Sequence, residues 1–170
     1  MKKYIGTKII EAIPGTMAEA QALKDGVPVD VKEEIFRKSG TADKDGYIVK
    51  YPDGYISWSP KNVFEEAYRR CDNMSFGLAL EALKKGMKVS RRGWNGRGMY
   101  LYLVQGSLVD KENLINEASF ILPKDDVAMH GTGVACFLSH IDMRTASGDV
   151  CIGWNASQVD MLADDWEIVE

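Results

Sequence analysis

The chain has 170 residues, 45% of them apolar and 27% charged, enough to bury a core in one ordinary domain or two small ones. Its formal charge of −4 is unevenly divided, with 12 basic and 11 acidic side chains in residues 1–71 but 9 and 14 in residues 72–170, so the second part lacks the basic stripe that a grip on extended DNA or RNA requires. No apolar run approaches the length that crosses a bilayer, and Met1-Lys2-Lys3 is not followed by a leader-like apolar core, so a cytosolic protein with no membrane contact is expected.

Residues 2–12 alternate in strand fashion, residues 16–25 form a short helical stretch stopped by Gly26, and residues 46–58 form a hairpin. The hairpin rests on Pro52-Asp53-Gly54, because proline presets φ and glycine permits a positive one. Ser59-Pro60 then reads as an N-cap with proline at the first helical position, opening a helix over residues 61–70 with Val63, Phe64 and Ala67 on one stripe. The charged run ends near Arg70-Cys71-Asp72-Asn73. That break separates a small accessory module, residues 1–71, from a second module, residues 72–170.

The second module opens with Asn73 or Ser75 as the cap of a helix whose Phe76, Ala79, Leu80 and Leu83 recur at helical spacing up to Gly86. Residues 87–92 and 99–104 are strand-like around a turn at 95–98, and Tyr100 and Tyr102 alternate with Leu101 and Leu103. Residues 105–126 are the least regular stretch, with a short helix expected over 111–118. Residues 134–138, 140–144 and 150–154 read as strands, the last two joined by Ser147-Gly148-Asp149. A closing helix over 156–163, capped by Asn155 or Ser157, leads to a final strand at 166–169. The sum is an α+β fold, an antiparallel sheet with short helices preceded by a small β-rich α+β module.

Several clusters carry polar chemistry. Ser90-Arg91-Arg92-Gly93-Trp94-Asn95-Gly96-Arg97-Gly98 gathers three arginines, an aromatic ring and three glycines around one turn, a composition suited to an anion but equally to an exposed hairpin turn. Trp154 is followed by Asn155, Ala156, Ser157 and Gln158, so it is either an aromatic face with hydrogen-bonding neighbours or a core anchor beside a helix cap. His140 and Asp142 share one side of a strand with His130 upstream, but their spacing does not build a metal site. Asp164-Asp165 reads as a solvated helix exit, while Asp160 sits one turn from Ala156 and Ser157. Cys71, Cys136 and Cys151 form no paired motif, so buried free thiols are expected rather than disulfides or zinc. Neither a cofactor nor a metal is called for.

The order of these blocks matches a known pattern. Ser75-Phe76-Gly77 to Lys84, Arg92-Gly93-Trp94-Asn95-Gly96, Met99 to Val104, His140-Ile141-Asp142-Met143-Arg144-Thr145-Ala146, Trp154, Ala156-Ser157-Gln158 and Asp165-Trp166-Glu167 together resemble the second Thoeris anti-defence family over residues 73–170. These are phage-encoded proteins that capture the nucleotide signal of a bacterial immune system. The chain departs from the family pattern at Gly153 and Asn155, where proline and leucine are common, and at Val159, where threonine is.

The resemblance implies a binder rather than an enzyme, acting in the cytoplasm of the infected host. It would sequester a glycocyclic ADP-ribose isomer, and in some members cyclic dinucleotides, without cleaving them. It further implies a homo-oligomer, a tetramer, with pockets shared between subunits. Carried over by position, Trp94 and Trp154 would stack on the ligand, Arg91, Arg92 and Arg144 would hold phosphate, and Asn95, Thr145, Ser157 and Asp160 would contact ribose or base. Two other readings compete: a cyclic-nucleotide hydrolase using Asp160 and His140, and an assembly module of a phage particle.

Overall fold

Gly54 takes φ +84° and its N–H donates to the Tyr51 carbonyl at 2.9 Å, which folds back the hairpin of the first of two units, Met1–Arg69 and Arg70–Glu170. The computed structural model describes residues 7–26, 46–110, 113 and 134–170. In the first unit, strands β1 (Glu11–Gly15), β2 (Gly46–Lys50) and β3 (Ile56–Pro60) form an antiparallel sheet in that order. Helix α1 (Met17–Lys24) begins at Thr16, whose hydroxyl accepts the Glu19 N–H while Glu19 accepts the Thr16 N–H, a reciprocal cap that satisfies two orphan donors. Helix α2 is Lys61–Ala67.

Three local expectations shift here. The first strand occupies residues 11–15 rather than 2–12, because only that stretch finds partners along β2, from Glu11 opposite Lys50 to Gly15 opposite Gly46. Residues 2–6 lie outside the described residues. Ser59 is not the cap of α2: it is paired with Tyr47 inside the sheet, and Pro60 stands at the cap with no side-chain bond. The helix stops at Ala67 because Tyr68 turns extended, at φ −120° and ψ 149°. Tyr68 stacks on Phe64, which in turn stacks on Tyr47, with centroids 4.8 and 4.2 Å apart. Trp58 donates its indole N–H to the Gly15 carbonyl at 2.9 Å.

The second unit is built on a five-stranded antiparallel sheet in the order β10-β4-β5-β8-β9, formed by β4 (Lys88–Arg91), β5 (Tyr100–Val104), β8 (His140–Arg144), β9 (Val150–Cys151) and β10 (Trp166–Val169). A separate ribbon pairs β6 (Ser107–Asp110) with β7 (Val134–Phe137). Helix α3 (Phe76–Lys84) packs on β4, β5 and β10, and the single-turn helix α4 is Gln158–Met161. Strand β6 was not expected, since Ser-Leu-Val-Asp is too short for a periodic signal. The helix expected over 111–118 and His130 lie outside the described residues.

Pairing fixes which side chains face α3. Val89 stands opposite Leu101 and Ile168, Leu101 opposite Met143, and Leu103 opposite Ile141, so these seat on one face while Lys88, Tyr100, Tyr102, Asp142 and Arg144 take the other. Met74, Ala79, Ala82, Leu83, Val89, Leu101 and Trp166 form the buried core of that face. Trp166 is 0% exposed, and an indole of that size removes roughly 200 Å² from water, a gross gain of about 5 kcal/mol before ordering entropy. Ser75 stands at the cap of α3 with no side-chain bond, and Asn73 instead accepts from Arg92 at 2.8 Å.

The end of the chain is more compact than its sequence suggests. Strand β9 stops after Cys151, because Gly153 takes φ +77° and sends its N–H to the Asp142 carboxylate at 2.9 Å. Trp154 then donates its own N–H to the Ile141 carbonyl at 2.7 Å. All three cysteines are exposed, contrary to the expected burial: Cys136 faces Leu108 on the outer side of the ribbon, and Cys151 lies on the two-residue edge strand. No helix among the described residues is long and apolar enough to cross a membrane.

Gly46 sits where its Cβ would strike the Ser59 carbonyl and come within 2.7 Å of the Trp58 ring. A backbone neighbour cannot swing aside as a side chain can. Gly46→Ala is therefore expected to destabilise the first unit by about 2 kcal/mol, read as a lowered urea midpoint with Trp58 emission as the probe. An unchanged midpoint would show that the close approach is not needed.

Candidate functional site

Arg91 is the origin of the site. It follows Val89 by two residues in β4, so its side chain enters the core face, where it is 11% exposed. A guanidinium there needs acceptors, and two carboxylates from the C-terminal segment supply them. Nε donates to Asp165 Oδ1 at 2.8 Å, Nη2 to Asp165 Oδ2 at 3.4 Å, and Nη1 to Asp160 Oδ1 at 2.8 Å. The guanidinium also lies 6.0 Å from the centre of the Trp166 ring.

Each carboxylate is then filled by the residues that follow β4. Asp165 Oδ2 accepts the Gly93 N–H at 2.8 Å, and Asp160 Oδ1 accepts the Trp94 indole N–H at 3.1 Å. On its other oxygen Asp160 accepts the Ser157 N–H and hydroxyl at 3.0 and 2.7 Å, while its own N–H returns to the hydroxyl at 3.1 Å. That reciprocal cap starts α4 at Gln158, four residues instead of the expected eight, and selects Ser157 over Asn155 as the cap. The Asp160 carbonyl accepts the Trp166 indole N–H at 3.0 Å.

These bonds gather the aromatic rings. Trp94, Trp154 and Trp166 meet edge to face at centroid separations of 5.5 to 6.3 Å, and Phe76 closes the cluster at 5.5 Å from Trp166 and 6.3 Å from Trp154. Trp166 is wholly buried, whereas Trp94 and Trp154 are half-buried, each part core and part surface. Trp154 thus anchors the core and also presents an edge to water. Asn155 donates its side-chain N–H to the Gly153 carbonyl at 3.3 Å, bracing the backbone on either side of Trp154.

The structure brings together Arg91, Trp94, Trp154, Ser157 and Asp160, and Asn95 stands exposed in the chain beside Trp94. Arg91 and Asp160 are consumed by partners within the chain. Arg92 lies exposed at the margin with its guanidinium on Asn73. Arg144 is not brought to this cluster: it projects from the opposite face of the sheet, 5.9 Å from the centre of the Tyr100 ring. Thr145 closes a turn, its N–H and hydroxyl both on the Asp149 carbonyl. His140 also faces away, 3.5 Å from buried Asp142, so the acid–base pair of His140 and Asp160 is divided by the sheet.

Asp165 and Asp142 were not singled out for this role by sequence, though strand parity carried the signal for Asp165. An inward arginine two residues after Val89 demands an acid, and the final strand brings Trp166 directly opposite Arg91. Among the described residues no group of three or more His, Cys, Asp or Glu side chains could hold a metal ion.

Partial burial pushes the Asp160 carboxyl up, but the Ser157 hydroxyl, Arg91 and Trp94 outweigh it and hold the pKa at about 2. The Arg91 hydrogen bond, followed by the Gly93 N–H, likewise lowers Asp165 against the opposing effect of burial. A carboxyl depressed on folding gives stability that is fully present above about pH 4 and lost as pH falls through about 2, here on the order of 2 kcal/mol. Asp160→Asn should lower stability by about 2–3 kcal/mol at pH 7, and its deficit should narrow between pH 4 and pH 2 in urea titrations. A deficit that stays constant across that interval would remove the ion pair as its cause.

Residues 74–169 match the family described as the Thoeris anti-defense 2-like domain. A relative from Bacillus phage SP01, named Thoeris anti-defense 2, is 36% identical over 96 residues, which cover 56% of this chain and 94% of the relative. The matched segment contains the whole tryptophan cluster and its ion pairs, and it leaves the first unit outside.

Proposed function

This chain belongs to the Thoeris anti-defense 2-like family, a phage anti-defence family, and from that membership we propose that it binds and sequesters a cyclic nucleotide immune signal without cleaving it. The signal is of the glycocyclic ADP-ribose type, with cyclic dinucleotides as a further class. The observation that carries the proposal is the pair of half-buried indoles, Trp94 and Trp154, whose positions are fixed from beneath by Arg91, Asp160 and Trp166. A preorganised aromatic shelf loses little entropy on binding, and each stacked base contributes about 1–3 kcal/mol.

Around the shelf, Asn95 and Ser157 supply directional polar groups and Arg92 supplies charge at the margin. Arg91 acts on the ligand only by holding the shelf. The separation of His140 from Asp160 favours binding over hydrolysis, since the two groups cannot address one phosphate from opposite faces of a sheet. The working location is the cytoplasm of the infected bacterial host.

The bound form is a homo-oligomer, a tetramer. Val150, Ile152, Val159, Met161 and Leu162 are 55, 76, 69, 47 and 82% exposed, an apolar skin on β9, α4 and the residues that directly follow each, which a second copy would cover. Ile152→Asp is expected to lower the assembly mass in light scattering with the unit still folded. Retention of the parent mass would place the contact elsewhere.

Incubation with a cyclic ADP-ribose isomer, then heat denaturation and chromatography, should return the isomer intact, whereas a linear product would support the hydrolase reading. Trp154→Ala removes a core anchor and should cost about 3 kcal/mol of stability, so Trp154→Phe is the cleaner probe. It should fold, and its affinity should fall roughly tenfold, close to 1.4 kcal/mol, in a calorimetric titration. Equal affinity in the two proteins would exclude Trp154 from ligand contact.

A further inference from the structure

Among the described residues one charged side chain is nearly sealed from water: Asp142, in the middle of β8, is 5% exposed. No lysine or arginine of the described residues pairs with it, and His140 Nε2 stands at 3.5 Å, longer than an ordinary hydrogen bond. A buried carboxylate without a fixed cation is tolerable only through the donors it accepts. It accepts the Gly153 N–H at 2.9 Å and the Tyr102 hydroxyl from the directly opposite position of β5.

The Gly153 N–H needs that acceptor because of a change of register. Strands β8 and β9 pair Arg144 with Val150 and Met143 with Cys151, a ladder that, continued, would set Ile152 opposite Asp142, Gly153 opposite Ile141 and Trp154 opposite His140. Side chains opposite one another share a face, so Trp154 would then lie with His140 and Asp142 on the side away from α3. The chain does not continue that way. It is Trp154, not Gly153, whose N–H reaches the Ile141 carbonyl, at 2.7 Å, so one extra residue has entered. Gly153 is that residue, at φ +77°, the left-handed conformation in which a glycine forms a β-bulge. One residue of slip exchanges the faces, and Trp154 comes up beside Phe76, Trp94 and Trp166 on the α3 side.

We infer that Asp142 is a positioning residue for the tryptophan shelf: its carboxylate takes the N–H of the extra residue and so holds the step that delivers Trp154 to the ligand side of the sheet. Asp142 touches no ligand and acts from the opposite face, through the backbone of Gly153. Its effect on affinity rests on the sequestration reading, whereas its effect on where Trp154 lies does not. The step needs an acceptor oxygen rather than a charge, so asparagine serves in its place and an apolar side chain does not.

Circular dichroism of the ligand-free full chain reads the step, because indole rings held edge to face couple their transitions and give a paired band that depends on their mutual orientation. Trp154→Phe supplies the spectrum of the cluster without Trp154. Asp142→Leu should match Trp154→Phe in this band and bind a cyclic ADP-ribose isomer at least about tenfold more weakly in calorimetry, while Asp142→Asn should keep the parent's band and an affinity within a few-fold. Deletion of Gly153, which restores the regular register and leaves the carboxylate in place, should weaken the band as Asp142→Leu does, and it carries the test if Asp142→Leu does not fold. A parental band in Asp142→Leu or in the deletion would overturn the inference. So would a band lost equally in Asp142→Asn, which would make the charge the cause. The spectra need no ligand, so a parent protein that leaves the isomer unbound would overturn sequestration, with the placement of Trp154 still decided by the bands.

Discussion

An arginine whose side chain points into a core settles most of the second unit. Arg91 follows Val89 at the inward parity of β4, and a charge in that position is tolerable only if carboxylates meet it with good geometry. The two that do come from residues 160 and 165, on either side of a sharp turn between α4 and β10. Satisfying one guanidinium therefore fixes the single-turn helix, the start of the last strand and the loop after β4 relative to one another. The tryptophans follow, because Trp94 and Trp166 each spend an indole N–H on Asp160.

This constraint separates two kinds of residue that share a chemistry. Arg91 and Asp160 have the charge expected of ligand contacts, but their hydrogen-bonding capacity is spent inside the fold. Trp94, Trp154, Asn95 and Arg92 keep surface to offer. Asp142, on the other face of the same sheet, belongs with Arg91 and Asp160, since its carboxylate is spent on the Gly153 N–H.

Much of the fold was legible in the sequence, because its strongest signals are local. The turn at Pro52-Asp53-Gly54, the stop at Gly86 and the alternation of Tyr100 to Leu103 each depend on a few neighbouring residues, and each appears where those residues put it. What the sequence hid depends on distant partners. The first strand is trimmed by the short β2, β9 is cut by a glycine whose N–H is claimed by Asp142, and α4 is one turn long because Asp160, which completes its cap with Ser157, is also an ion-pair partner of Arg91. The candidate site was read in part. Grouping Trp94 with Trp154 followed from the resemblance, but placing Arg144 beside them ignored strand parity, which sends it to the opposite face.

The central claim is that Arg91 builds the shelf and does not itself hold the ligand. Arg91→Lys keeps the charge and removes the fork, and its urea stability and its calorimetric affinity for a cyclic ADP-ribose isomer, measured well below the unfolding transition, separate the two roles. The account predicts a loss of about 1–3 kcal/mol in stability with affinity per folded molecule within a few-fold of the parent. Unchanged stability together with abolished binding would contradict it and return Arg91 to the ligand.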